Sequence, residues 1–233
     1  MLAPFRQFLT DPRTDFAGET ITYLRLCAIP IVLAVVIGLV LGVLVARRPL
    51  LAFVVSNLSG LARAIPTLAF LAAVLPYLGI GFTPAVAALT ALGIPPILLN
   101  TIAGLRGVDP AMVDAARGMG MAPRQILSRV EIPLVLPVVA AGVRTSAVQI
   151  VATAPLAALI GAGGYGDYIL AGINLLRPAP LVVGAGCVAL LALLVEFGLA
   201  AVERAVTPAG LRPGRSPASA AVESGPGTPA RIT

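Results

Sequence analysis

Between Arg63 and Arg106 the chain runs for 42 residues without one charged side chain. A soluble fold has to present charge to water far more often than that, whereas a bilayer requires its absence. A helix crosses a hydrocarbon core of about 30 Å with roughly 20 residues, so this run is long enough for two crossings. The division falls at Pro76-Tyr77-Leu78-Gly79-Ile80-Gly81-Phe82-Thr83-Pro84, where proline and glycine supply turn chemistry. One helix is expected over 50–75 and the next over 84–102. Pro95-Pro96 is expected to kink or interrupt the latter. Carbonyls freed there must be covered by protein or by a water-filled cavity.

The remainder extends the pattern. Leu26 to Ala46 carries no charge and is closed by Arg47-Arg48-Pro49, giving the first span over 26–46. Within it Gly38 and Gly42 form a small-xxx-small pair that would let another helix approach closely. A fourth span is expected over 134–160, distorted at Pro137 and Pro155 and ended by Gly161-Ala162-Gly163-Gly164-Tyr165-Gly166-Asp167. A fifth is expected over 181–202. With 58% hydrophobic residues, 11% charged and a mean hydropathy of +1.00, the chain reads as an all-α integral membrane protein of about five core helices, six at most. Residues 1–19 read as an amphipathic lead-in rather than a cleaved signal peptide. Residues 20–205 form one transmembrane domain, and 206–233, rich in Pro, Gly, Ser, Ala and Arg, read as a disordered tail.

All 16 basic residues are arginines. Arg47 and Arg48, then Arg106, Arg117, Arg124 and Arg129, then Arg204, Arg212, Arg215 and Arg231 fall on one side of a five-span bundle. The positive-inside rule makes that side cytoplasmic. Arg177 lies opposite, with Arg6, Arg13 and Arg25 as the discordant set. No histidine is present, which removes the Ser-His-Asp hydrolases and the metalloproteases. Cys27 and Cys187 stand in apolar stretches with no second ligand at metal spacing, so they read as inert thiols and no metal site is expected.

One polar island interrupts the apolar chain. Asp109-Pro110 is a strong helix start, with Asp as N-cap and Pro at the first helical position. Met112, Ala115, Ala116 and Met119 follow at helical spacing as one stripe, with Asp114 and Arg117 off it. Gly118 and Gly120 end that helix and permit a sharp turn. Pro123 opens a second short helix with Ile126, Leu127 and Val130 facing inward, and Pro133 is expected to close it. The loop over 106–133 is thus a helix-turn-helix with small residues at its elbow.

Asp114-Ala115-Ala116, three residues, Gly120, nine residues, Val130, Ile132 and Pro133 resemble the signature loop of the permease subunits of bacterial ABC importers. That pattern reads Glu-Ala-Ala, then Gly, then Ile-x-Leu-Pro; the departures here are Asp for Glu, Val for Ile and Ile for Leu. Arg63-Ala64-Ile65-Pro66-Thr67-Leu68-Ala69, Gly107-Val108-Asp109-Pro110, Gly118-Met119-Gly120-Met121 and Ala157 to Gly164 resemble the permeases for osmoprotectants such as glycine betaine, carnitine and choline. Related permeases for methionine or other amino acids share the fold and the loop.

The resemblance implies a type I importer permease in the bacterial inner membrane, with a cytoplasmic loop and tail. It further implies a second permease subunit, identical or paralogous, an extracytoplasmic substrate-binding protein, and two cytoplasmic ATPases that receive the elbow in a groove. ATP and Mg would be bound by those ATPases: a chain without lysine has no Gly-x-x-x-x-Gly-Lys phosphate loop, and no cofactor or catalytic residue is expected here.

Three further sets complete the reading. Arg63 and Arg144 lie in or near spans, where an ionisable group serves a pathway or pairs helices unless it snorkels to the surface. Glu196 has the same ambiguity. Gly163, Gly164, Tyr165 and Asp167 are expected at an outer gate or binding-protein dock; the Gly-x-Gly-x-x-Gly spacing there is a coincidence, lacking any βαβ context. Tyr77, Tyr165 and Tyr168 are read as interface anchors, and with aromatics at 5% and no tryptophan a substrate cage in this chain is not expected. A secondary transporter would need more intramembrane acids than Glu196. A membrane scaffold would leave the elbow unexplained.

Overall fold

A computed structural model describes residues 15–62 and 67–207. Among them the fold is all helical, without a strand. Four helical stretches are long and apolar enough to cross a membrane: Phe16–Ala46, Phe82–Arg106, Pro123–Ile160 and Pro178–Val206. Two shorter apolar helices, α2 (Pro49–Ala62) and α3 (Thr67–Leu78), stand where one span was expected over 50–75. Residues 63–66 between them lie outside the described residues.

The first helix, α1 (Phe16–Ala46), starts earlier than its uncharged run. Asp15 is the N-cap and accepts the Gly18 N–H at 2.9 Å, so the end of the lead-in expected over 1–19 is already helical from Phe16. An N-cap satisfies backbone donors that lipid cannot, which lets the helix continue past the apolar stretch. Gly38 and Gly42 face α4 (Phe82–Arg106): a Cβ on Gly38 would stand 2.9 Å from Ile97 Cβ, and one on Gly42 2.6 Å from Thr101. The close approach read from that pair is therefore an α1–α4 contact.

Pro95 and Pro96 lie inside α4 and do not interrupt it. Side chains reach two carbonyls beside these prolines: the Asn100 amide donates to Pro96 O at 2.8 Å and the Ser146 hydroxyl to Gly93 O at 2.7 Å. Ser146 is 1% exposed, so its bond is made inside the bundle.

The largest departure concerns Pro133, which closes nothing. After α5 (Pro110–Gly118) the chain forms α6 (Pro123–Ile126), a π turn over Leu127–Glu131, α7 (Ile132–Thr153) and a 3-10 segment over Ala154–Ile160. These join into one rod of 38 residues, Pro123–Ile160. In an α-helix the Pro133 ring would press on the carbonyl of Arg129, four residues back; the wider π turn ahead of it relieves that clash and keeps the rod continuous. A short helix, α8 (Tyr165–Asn174), then leads into α9 (Pro178–Val206).

α1, α4 and α7 form the centre, packed around Tyr23, Leu26, Leu89, Ile97, Ile150 and Val151, all nearly or fully buried. α9 lies on the outside of this trio against α7 and α8. Outward-facing residues are large and apolar, among them Val32, Val36, Leu190, Leu193 and Phe197, as a lipid-facing surface requires.

Candidate functional site

The polar island folds as an elbow. The Asp109 carboxylate accepts the Ala111 N–H at 2.9 Å, with Pro110 in the first turn. α5 ends at Gly118, and the turn is made by Gly120 at φ +79°, where the Gly120 N–H donates to Arg117 O at 2.9 Å. The chain re-enters a helix at Pro123, with the Gln125 side chain accepting the Ala122 N–H at 3.0 Å.

The elbow is held by few side chains. Ala116 and Ile126 are its buried residues, at 2% and 4% exposure. The expected stripe does not pack as a unit: Ala116 faces the rod, while Met112, Ala115 and Met119 are exposed. Asp114 and Arg117 pair with each other at 3.1 Å on the surface, which is worth little in stability. Gly118 and Gly120 have no atom within 4 Å of where a Cβ would stand. Val130 and Pro133 are half-buried and Ile132 is exposed, all on the rod rather than in the elbow. Between elbow, rod and the end of α1 lies a cavity of about 190 Å³ lined by Arg47, Arg117, Ile126 and Glu131 among others. Arg47 reaches Glu131 at 3.7 Å, tying the π turn to α1.

At the other end of the bundle Gly163 and Gly164, at φ +79° and +84°, carry the chain out of the 3-10 segment. The Gly164 N–H donates to the Glu19 carboxylate, the Tyr165 hydroxyl to Thr20 Oγ1 at 2.9 Å, and the Tyr23 hydroxyl to Val151 O at 2.7 Å. That last bond replaces a missing one: the residue four positions after Val151 is Pro155, which has no N–H to offer. Phe16, Tyr23, Tyr165 and Tyr168 gather their rings here, with Tyr23 and Tyr165 centroids 4.8 Å apart. Tyr165, expected as an interface anchor, is 7% exposed and belongs to the core; its hydroxyl is satisfied internally by Thr20. Burial pushes the Asp167 carboxyl up. Burial, with the Glu19 and Asp15 carboxylates beside it, pushes the Tyr168 phenol up to about 12.

Arg144 sits on α7 and pairs helices. Its Nη1 lies 3.3 Å from Glu196 Oε1 and its Nε 3.3 Å from Glu203 Oε2, both on α9. Arg63 lies outside the described residues. Glu19, Thr20, Tyr23, Glu131 and Glu203 received no role from sequence reasoning. The two glutamates of α9 carried a signal in their seven-residue spacing, which places them on one helix face. Among the described residues no group of three or more His, Cys, Asp or Glu side chains is placed to hold a metal ion.

Residues 34–208 match the family described as "Binding-protein-dependent transport system inner membrane component". The chain is 41% identical over 208 residues to the carnitine transport permease protein OpuCB of Listeria monocytogenes, covering 89% of this chain and 95% of that one. It is 37% identical over 206 residues to the choline transport system permease protein OpuBB of Bacillus subtilis, covering 88% and 95%. Its fold is similar to a chain of the MetNI methionine ABC transporter in an inward-facing conformation, with a TM-score of 0.74, 24% identity, and coverage of 83% of this chain and 96% of that chain.

Proposed function

The chain belongs to the family of binding-protein-dependent transport system inner membrane components, and from that premise we propose that it is the membrane permease of an ATP-driven importer for osmoprotectants of the glycine betaine, carnitine and choline class. The relatives at 37% and 41% identity, whose names specify choline and carnitine, support that class over methionine, since the likeness to the methionine transporter is one of fold at 24% identity. Such a subunit is non-catalytic. ATP and Mg belong to cytoplasmic ATPase partners, a second permease subunit completes the path, and a binding protein delivers cargo on the opposite face. The arginine-rich elbow end and the tail then lie in the cytoplasm.

The observation that carries the mechanism is the elbow's continuity with the rod. Asp114, Ala115, Gly118 and Gly120 are exposed, while the segment that follows runs without a break from Pro123 to Ile160. A partner that grips the elbow and moves therefore acts on a lever that crosses the membrane. Small side chains at the grip allow close backbone approach. Val130, Ile132 and Pro133 act in the lever: Pro133 keeps the π turn open, and the turn gives the rod a joint near the point of load. Gly163, Gly164, Tyr165 and Asp167 lie at the far end of that lever, which supports reading them as an outer gate or binding-protein dock.

Coexpression with the neighbouring ATPase genes tests this. The chain should copurify with an ATPase, and Gly118→Trp should insert normally while reducing ATPase capture and uptake of labelled choline, carnitine and glycine betaine at least tenfold. Undiminished ATP-driven uptake by Gly118→Trp would remove the elbow from the mechanism.

A further inference from the structure

α9 is the long helix with the weakest hold on the bundle. Its buried residues are Ala179, Pro180 and Gly184 near its start and Ala200 near its end; none of residues 185–199 is buried. At its start it is locked by backbone contact with α8, since a Cβ on Gly172 would stand 2.6 Å from Leu181 N and one on Gly184 2.9 Å from Tyr165 O. Further along, half-buried Cys187, Val188, Leu191 and Val195 touch the core. In lipid such apolar contacts discriminate poorly, because acyl chains are as apolar as leucine and offer an equivalent surface.

Charge does discriminate. Arg144 stands twelve residues into α7, roughly 18 Å along its axis. Glu196 and Glu203 are two turns apart on one face of α9, and the guanidinium engages both through different nitrogens, each at 3.3 Å. Two separate nitrogens of the guanidinium make these ion-pair contacts, a span that a single lysine ammonium covers less well. Drawing α9 away from α7 would break both ion pairs and leave Arg144, which lies inside a span, without either partner, a larger penalty than exchanging one apolar neighbour for another.

We infer that Arg144, Glu196 and Glu203 are positioning residues that make α9 travel with the rod when the elbow is moved. The inference rests on the coupling role proposed for the elbow, and it assigns the three charges to transmission rather than to cargo. α8 holds α9 at one end of the bundle and the charge bridge holds it further along. A displacement of α7 is then passed to α9 as a rigid-body movement, instead of being lost as sliding between two helices.

The test uses the assembled transporter in proteoliposomes, with its ATPases and binding protein and a mixture of labelled choline, carnitine and glycine betaine. Arg144→Gln should still capture the ATPase and hydrolyse ATP at a rate within about twofold of wild type, while uptake per ATP falls at least tenfold. Arg144→Lys should fall between the two. Spin labels at Thr145 and Leu194 should give one narrow distance in wild type, with and without nucleotide, and a broadened one in Arg144→Gln. If Arg144→Gln does not assemble, Glu203→Gln keeps the Arg144–Glu196 pair, and its uptake per ATP should fall at least threefold. Unchanged uptake per ATP in the assembled variant would overturn the linkage. Undiminished ATPase capture and uptake by Gly118→Trp would instead overturn the elbow.

Discussion

The two ends of the rod, the elbow over 109–122 that leads into it and the cap over 154–174 that begins with its last turns, are built on opposite plans. Both turn on glycines with positive φ. In the elbow a Cβ on Gly118 or Gly120 meets open space, whereas in the cap a Cβ on Gly166 would stand 2.3 Å from Pro155 O and 2.7 Å from Ala158 Cβ. Elbow hydrogen bonds join residues a few positions apart; cap bonds join Glu19 to Gly164, Thr20 to Tyr165 and Tyr23 to Val151 across most of the chain. The elbow is thus a local fold with an open surface, and the cap is a tertiary fold closed upon itself. Glycine serves reach in the first and packing in the second.

The largest effect should come from treating the two kinds of glycine alike. Gly166→Val drives a branched side chain into a carbonyl that cannot retreat, and such overpacking should cost about 3 kcal/mol or more. The variant should aggregate or lose its thermal transition when detergent-solubilised protein is heated and monitored by size exclusion. Gly118→Ala should shift the same transition by less than about 1 kcal/mol equivalent, and upward, because alanine is the better helix former. A Gly166→Val protein as stable as Gly118→Ala would erase the distinction.

A smaller effect is expected where the cap repairs the rod. Tyr23→Phe removes the hydroxyl that serves Val151 O, and with Pro155 four residues on, the helix has no N–H of its own for that carbonyl. An unsatisfied buried acceptor costs roughly 1–3 kcal/mol, so the melting temperature should fall measurably while the ring packing with Tyr165 persists. Paired with Pro155→Ala, which can restore an amide donor, the loss should shrink. Equal losses in the single and double variants would show that the hydroxyl serves something else.

The same contrast explains what the sequence disclosed. The elbow was legible because its signals are local: Asp109-Pro110 starts a helix, Gly118 to Gly120 turn it and Pro123 restarts it, each within a few residues of its effect. Local signals failed in the stripe, of which only Ala116 is buried, and at Pro133, where local chemistry predicts a stop. The chain answers with a π turn over Leu127–Glu131 instead, whose wider ring relieves the proline clash and keeps the helix continuous. In the cap Gly163, Gly164 and Tyr165 could be flagged, but their partners Glu19 and Thr20 stood in or beside a stretch read as a lead-in. Nothing within a window of either segment announces a bond spanning 145 residues. Arg144 fell between: its position inside a span marked it, and only the packing of α9 named its partners.

The smallest effect lies in Asp167, at the start of α8. A helix N-terminus favours a carboxylate, yet the carboxyl is pushed up, so burial outweighs the backbone there. A carboxyl raised in the folded cap contributes stability below its ordinary pKa, and that contribution is lost as pH rises through the raised value. Wild-type protein should therefore lose some thermal stability between acidic and neutral pH through this group. Asp167→Asn should flatten that slope and be no less stable than wild type at neutral pH. The cap and the elbow separate here too, since Asp114 is exposed and pairs with Arg117 at 3.1 Å on the surface. Parallel profiles for wild type and Asp167→Asn would mean that the cap admits water at its first turn and is less closed than its packing indicates.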